Sequence, residues 1–453
     1  MDIIYLIFSQ AIGVVLGILK SIVLPMILSV SDFGYWQIYL LYVGYLGVLA
    51  VGFNDGLLLK YGKYDYEDLL NKKLGANIFL FMIFQFLLTI LLFIIIYFFI
   101  EESKRMLFIL ISINIPLVGL NGVFLALFQS TNQIKKYSYF SIIDKLLMII
   151  TIIVIVTLDY KSILFIIVVD IIARFVSVTL MFREFKSFFY KSENIFSVLN
   201  IKELFGNMKS GFYILISNLI AMLLIGYSLF LVERSMNLIN YSIYSLGIST
   251  TNILLLFIAA VSVFIFPRLS RVPPYEINKK LINIEKMTLY SSILLINLYF
   301  FVHQIILVFL EKYSSLLEFL PFIFLSIIVQ IKYNVLLVPY CKIIRKEKMI
   351  FKVNSLMLVF NIFFITISVT LLKSLLITSI FIFITFFLRN IFLEKFIMNI
   401  NIHNKAYLFY YVLFLFSIYF TGNILCSLIV YSSVSITFLL WNSKKIKTLL
   451  KEI

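Results

Sequence analysis

The sequence predicts an all-α polytopic membrane protein with about fourteen transmembrane helices. Three observations carry this expectation. Of 453 residues, 62% are hydrophobic, and the mean hydropathy is +1.08. Only 13% are charged, about half of the ~25% that clothes a soluble domain. Finally, apolar runs recur along the chain at close to the roughly 20 residues needed to cross a hydrocarbon core.

Taken in order, the spans fall near 3–30, 36–58, 74–100, 106–129, 138–158 and 163–183. After a polar break they resume near 210–232, 241–266, 287–310, 319–341, 350–372 and 375–398, with a shorter pair at 406–421 and 424–441. The first run has Asp2 as its only early charge and lacks a small-residue cleavage site, so it reads as a retained span rather than a signal peptide. The break divides the chain into a six-helix lobe at 1–183, a linker at 184–209, a second six-helix lobe at 210–398, and two extra helices with a basic tail at 399–453. In the linker, Phe188, Phe189, Ile195, Phe196, Leu199 and Phe205 alternate with Lys186, Lys191, Lys202 and Lys209. That mixture suits an amphipathic helix lying in the cytoplasmic headgroup layer.

The net charge of +16 would point to nucleic acid on a soluble chain. Its distribution removes that reading. With the N-terminus in the cytoplasm, 28 of the 38 Lys and Arg residues fall in cytoplasmic segments and 6 in outer loops. This is the positive-inside bias, and it places both termini in the cytoplasm. Cys341 and Cys426 are too far apart for a disulfide framework or a zinc pattern, His303 and His403 are isolated, and no phosphate-binding loop is present. No catalytic or metal-binding set emerges, and no cofactor is expected beyond a coupling H+ or Na+.

Charges inside spans are costly and mark candidate sites. Lys20 shares a face of the first span with Gln10, Gly13 and Gly17, just before Pro25. In the second span Gly44, Gly47, Val51 and Asp55 align on one face at helical spacing, which makes Asp55 a coupling or gating candidate. Asp144 and Lys145 lie in the fifth span, and Asp170 and Arg174 in the sixth at the i, i+4 spacing of an ion pair. Lys332, between Gln330 and Asn334, has no acidic residue in its own span and reads as an unpaired cation facing a wet cavity. Arg389 and Glu394 read as a helix end near the cytoplasm.

Several motifs resemble Wzx-type oligosaccharide flippases. They are Phe33-Gly34-Tyr35-Trp36-Gln37, Gly52 through Gly56, Tyr61-Gly62, Glu233-Arg234, Tyr244-Ser245-Leu246 and Phe266-Pro267-Arg268-Leu269. The resemblance implies membership of the multidrug/oligosaccharidyl-lipid/polysaccharide exporter superfamily, with two MATE-like lobes around a central cavity. It implies a bacterial inner-membrane protein that moves undecaprenyl-diphosphate-linked oligosaccharides outward by alternating access, coupled to an ion gradient. Implied partners are the lipid-linked oligosaccharide, membrane lipids, and the polysaccharide polymerase and chain-length machinery. On that reading Lys20, Arg174 and Lys332 contact the cargo anion, while Asp55, Asp170, Glu233 and Arg234 serve coupling or gating. Glu233 stands where the family more usually has aspartate, and the eighth span has no basic residue before Arg268. The alternatives are a drug exporter of the same superfamily, or a membrane-embedded polymerase or acyltransferase. The last two need a large outer loop or an intramembrane His/Asp cluster, and neither is evident.

Overall fold

The computed structural model describes residues 2–62, 64–66, 74–158, 161–190, 195–270, 276–397, 404–443 and 445. Among these residues the protein is helical, with no strand. Among the described residues, twelve helices are long and apolar enough to cross a membrane. The helix Leu238–Ser270 and the shorter apolar helix Lys405–Thr421 occupy the places of the other two expected spans. Lys191 and most of the basic tail, 446–453, lie outside the described residues.

The chain divides into two compact units, Met1–Met222 and Leu223–Ile453. The first contains α1 (Asp2–Ile18), α2 (Leu24–Ile27), α3 (Val30–Tyr45), α4 (Phe53–Tyr61), α5 (Leu74–Phe99), α6 (Glu102–Ser130), α7 (Ile134–Leu158), α8 (Ile163–Glu184) and α9 (Lys186–Tyr190). The division falls inside α10 (Val198–Ser235). The second unit continues with α11 (Leu238–Ser270), α12 (Ile277–Ile296), α13 (Leu298–Phe309), α14 (Leu320–Lys332), α15 (Val338–Ile343), α16 (Glu347–Thr366) and α17 (Leu375–Ile397). The final pair is α18 (Asn404–Thr421) and α19 (Ile424–Trp441), both packed on α12.

Of the linker expected at 184–209, Lys186–Tyr190 forms a short helix and the residues from Val198 onward belong to α10. Residues 198–209 form the opening turns of α10, where no proline interrupts the run and the helix continues through Gly206 and Gly211. Its aromatic residues split by role. Phe188 is buried in the core of the first unit, while Phe196, Leu199 and Phe205 are exposed.

Polarity along α5 is inverted relative to a soluble helix. Asn77, Gln85 and Thr89 are buried, whereas Leu87, Ile90, Ile94, Phe98 and Phe99 are exposed. Lipid solvates such an outer face, and the buried amides bond inside the protein, as Gln85 Nε2 does to the Leu49 carbonyl at 3.0 Å.

Two helices carry a π-turn just before a proline. Leu19–Val23 precedes Pro25, and Tyr333–Leu337 precedes Pro339. A proline ring collides with the carbonyl four residues back and supplies no N–H. Widening the turn relieves both conflicts, and the Leu24 N–H accordingly bonds to the Leu19 carbonyl and the Val338 N–H to that of Tyr333.

The second expected span is not one helix. Following α3 comes a 3-10 segment, Leu46–Ala50, and then Val51 at φ 50° and Gly52 at φ 77°, before α4 begins. The reason is a close crossing with α10. A Cβ on Gly52 would stand 2.6 Å from the Phe212 nitrogen, and one on Gly211 would stand 2.0 Å from the Gly52 oxygen. The two backbones touch there. The break rotates Asp55 out of line with Gly44 and Gly47, so the single face read from the spacing does not exist.

Candidate functional site

In the first unit, three elements converge on Asp170, which α8 carries into the interior with 3% of its side chain exposed. The Tyr39 hydroxyl, from α3, donates to Asp170 Oδ2 at 2.8 Å. Asn114 Nδ2 in turn donates to that hydroxyl oxygen at 3.2 Å. Arg174 Nε, one turn along α8, lies 2.8 Å from the same Oδ2, and Lys20 Nζ lies 3.7 Å from Oδ1. The π-turn after α1 holds Lys20, whose ammonium stands 5.2 Å from the centre of the Trp36 ring, a cation–π distance. Trp36 itself is buried, and its Nε1 has no hydrogen-bond partner among the described residues.

Asp144 and Lys145 of α7 complete the cluster. Asp144 interacts electrostatically with Lys20, Arg174 and Lys145. Lys20, Lys145 and Arg174 thus face Asp144 and Asp170, a net charge of +1 among the described residues. The side chains of Lys20 and Arg174 remain 18% and 24% exposed, while the carboxylate between them is sealed. The i, i+4 pairing of Asp170 with Arg174 was legible in the spacing. The approach of Lys20 and Tyr39 to the same carboxylate was not.

Lys332 differs from the expectation of an unpaired cation. In the second unit its Nζ lies 2.6 Å from Glu394 Oε1 and 3.6 Å from Glu285 Oε1, with the lysine and both glutamate side chains 6% exposed or less. The ammonium also stands 4.7 Å from the centre of the Tyr407 ring. The Tyr407 hydroxyl hydrogen-bonds Thr288 at 2.8 Å. No acidic residue of its own helix serves Lys332; the carboxylates come from α12 and α17, and sequence spacing within one span could not reveal them.

Arg389 is likewise not at a helix end. It sits inside α17, 2% exposed, with its guanidinium carbon 3.5 Å from the centre of the Tyr333 ring and 4.6 Å from that of Phe386. Its Nε and Nη2 have no hydrogen-bond partner among the described residues.

Asp55 occupies the first turn of α4, beyond the span that ends at Ala50. It is half-buried against α10, and that burial raises its carboxyl above the ordinary carboxylate range. One turn further, Lys60 pairs with Glu203 of α10, and Tyr61 donates to the same Glu203 oxygen at 3.2 Å. Glu233 and Arg234 lie in the last turn of α10. No group of three or more His, Cys, Asp or Glu side chains able to hold a metal occurs among the described residues.

No protein-family model matches the sequence. Nor does any curated protein. Solved structures do match. The chain is similar to the lipid II flippase MurJ in an inward closed conformation, with a TM-score of 0.70 at 15% identity, covering 98% of this chain and 99% of that one. It is also similar to an inward-facing multidrug resistance MATE family transporter of the MOP superfamily, with a TM-score of 0.60 at 11% identity over 86% of this chain and 94% of the other. A third similar structure is the eukaryotic MATE transporter AtDTX14, with a TM-score of 0.56 at 14% identity over 90% and 98% of the two chains. The chain shares the fold of these membrane proteins across nearly its whole length.

Proposed function

We propose that the chain is a flippase that carries an undecaprenyl-diphosphate-linked oligosaccharide from the inner to the outer leaflet of a bacterial cytoplasmic membrane. The observation that carries this reading is the cluster on Asp170. It holds a net +1 charge within membrane-spanning helices, and the two cations in ion-pair contact with Asp170, Lys20 and Arg174, keep part of their side chains exposed. A diphosphate cannot cross hydrocarbon without such a counter-charge, whereas a polyprenyl tail can stay in lipid. The fold shared with a lipid II flippase and with MATE transporters supports movement by alternating access rather than catalysis.

Within this reading Lys20 and Arg174 contact the cargo anion, and Asp170 is the counter-ion that keeps them charged and oriented between cargoes. Lys332, enclosed by Glu285 and Glu394, stands outside the cargo site in this conformation. Asp55, half-buried in the first turn of α4, is the candidate for coupling to H+ or Na+. Glu233 and Arg234 keep their assignment as gating candidates. The two termini are cytoplasmic, and the polymerase and chain-length machinery receive the cargo on the far side.

The test is a strain whose surface polysaccharide depends on this chain. Lys20→Met and Arg174→Met should each cut surface polysaccharide by about tenfold or more, the scale of a lost charged contact, and make lipid-linked oligosaccharide accumulate on the cytoplasmic leaflet. Wild-type export in both variants sinks the assignment. Polysaccharide left intact while resistance to cationic dyes is lost would instead identify a drug exporter.

A further inference from the structure

Helix α10 is longer than a membrane is thick. Its 38 residues rise about 57 Å, whereas a hydrocarbon core takes only about 20 helical residues to cross. Counting that many back from the polar end at Glu233 and Arg234 reaches Tyr213, so residues 198–210 stand at headgroup depth on the opposite side. The exposed rings of Phe212 and Tyr213 mark the same level, as aromatic residues do at a membrane–water interface.

At this depth α4 and α10 frame a cavity of about 330 Å³, lined by Leu59, Lys60, Glu203, Gly206, Asn207 and Ser210. All six belong to the first unit. Gly206 leaves it open, since a Cβ there would meet nothing within 4 Å. Three and four positions either side of Gly206, and so next to it on the helix surface, are Lys202, Glu203, Lys209 and Ser210. Glu203 is already engaged: it pairs with Lys60 and accepts from the Tyr61 hydroxyl at 3.2 Å. Lys202 and Lys209 are exposed and make no ion pair among the described residues. Three ammonium groups against one carboxylate give the site a net charge of +2. Asn207, 2% exposed, keeps its Nδ2 donor without a hydrogen-bond partner among the described residues.

We propose that this cavity holds the phosphate of an anionic phospholipid headgroup. Lys202 and Lys209 flank the phosphate with Lys60 across from them, Gly206 gives it room against the backbone, and the exposed Leu59 and Phe205 lie along the acyl chains. A lipid fits better than free phosphate because the cavity opens among exposed apolar side chains at headgroup depth, where basic pockets between helices take lipid phosphates. The site stands apart from the Asp170 cluster and from the identity of the cargo.

Native mass spectrometry of the full-length protein, delipidated in detergent, tests this. The first phosphatidylglycerol should bind about tenfold or more tightly than phosphatidylcholine of the same chain length. The double variant Lys202→Gln with Lys209→Gln should weaken that binding about tenfold or more. Gly206→Leu fills the cavity without removing a charge, at a position with room for a side chain, and should weaken it as much. Unchanged phosphatidylglycerol affinity in either variant overturns the site, and so does equal affinity for phosphatidylcholine. Displacement of the bound lipid by millimolar inorganic phosphate would assign the cavity to free phosphate and overturn the lipid.

Discussion

A Cβ on Gly56 would stand 1.9 Å from the backbone oxygen of Asn207. No side chain can yield there, because the obstacle is backbone. The crossing of α4 and α10 therefore requires glycine at 56, and equally at 211, where a Cβ would meet the Gly56 nitrogen at 2.4 Å. Gly56→Ala and Gly211→Ala should each destabilise the first unit by about 1–3 kcal/mol, the usual range for overpacking. Gly206→Ala on the same helix, with open space around it, is the control. Melting temperatures in detergent test this, and a Gly56→Ala variant as stable as Gly206→Ala would refute the crossing.

Asp170 is the only carboxylate in direct ion-pair contact with both Lys20 and Arg174 among the described residues. Asp170→Asn should destabilise the fold by about 3–5 kcal/mol, because two partly buried cations lose their shared partner. Tyr39→Phe removes one hydrogen bond to the same carboxylate, at about 1.5–3 kcal/mol. Chemical or thermal unfolding of the two variants should rank them in that order.

Asp55 predicts a pH dependence. Its carboxyl is raised above the ordinary 3.8 by burial, so the folded chain binds the proton more tightly than the unfolded chain does. Stability from this group therefore grows as pH falls through the raised value, is fully present below 3.8, and is lost as pH climbs above it. Asp55→Asn should raise the melting temperature at pH 7 and flatten its slope across that acidic window. An unchanged slope would show that Asp55 is not the titrating group.

Lys332→Met leaves two buried carboxylates facing each other, which should cost about 3–5 kcal/mol. Converting the whole set, as Lys332→Met with Glu285→Gln and Glu394→Gln, should recover most of that loss, because no ionised group remains to be solvated. Melting curves of the single and triple variants provide the comparison, and a triple variant no more stable than the single one would argue against a closed ion cluster.

Much of this was legible from the residues. The apolar runs near 20 residues mark the spans because hydrocarbon leaves a backbone no partner but itself. The Asp170–Arg174 pair was visible because both members lie on one helix. The Lys332–Glu394 and Lys332–Glu285 pairs were not, since each joins residues more than forty positions apart on separate helices. In the sequence Arg389 reads as a helix end, and nothing local signals that it sits inside α17 against Tyr333.

By itself, then, the sequence determined the membrane class and the order of the helices, because both follow from local hydropathy. Tertiary structure alone decided that the span at 36–58 breaks at Val51-Gly52 and that Asp55 leaves the face of Gly44 and Gly47. It likewise decided which buried charges share partners. Charge pairing is a matter of distance through space at low dielectric, and only the packing of one helix against another sets that distance.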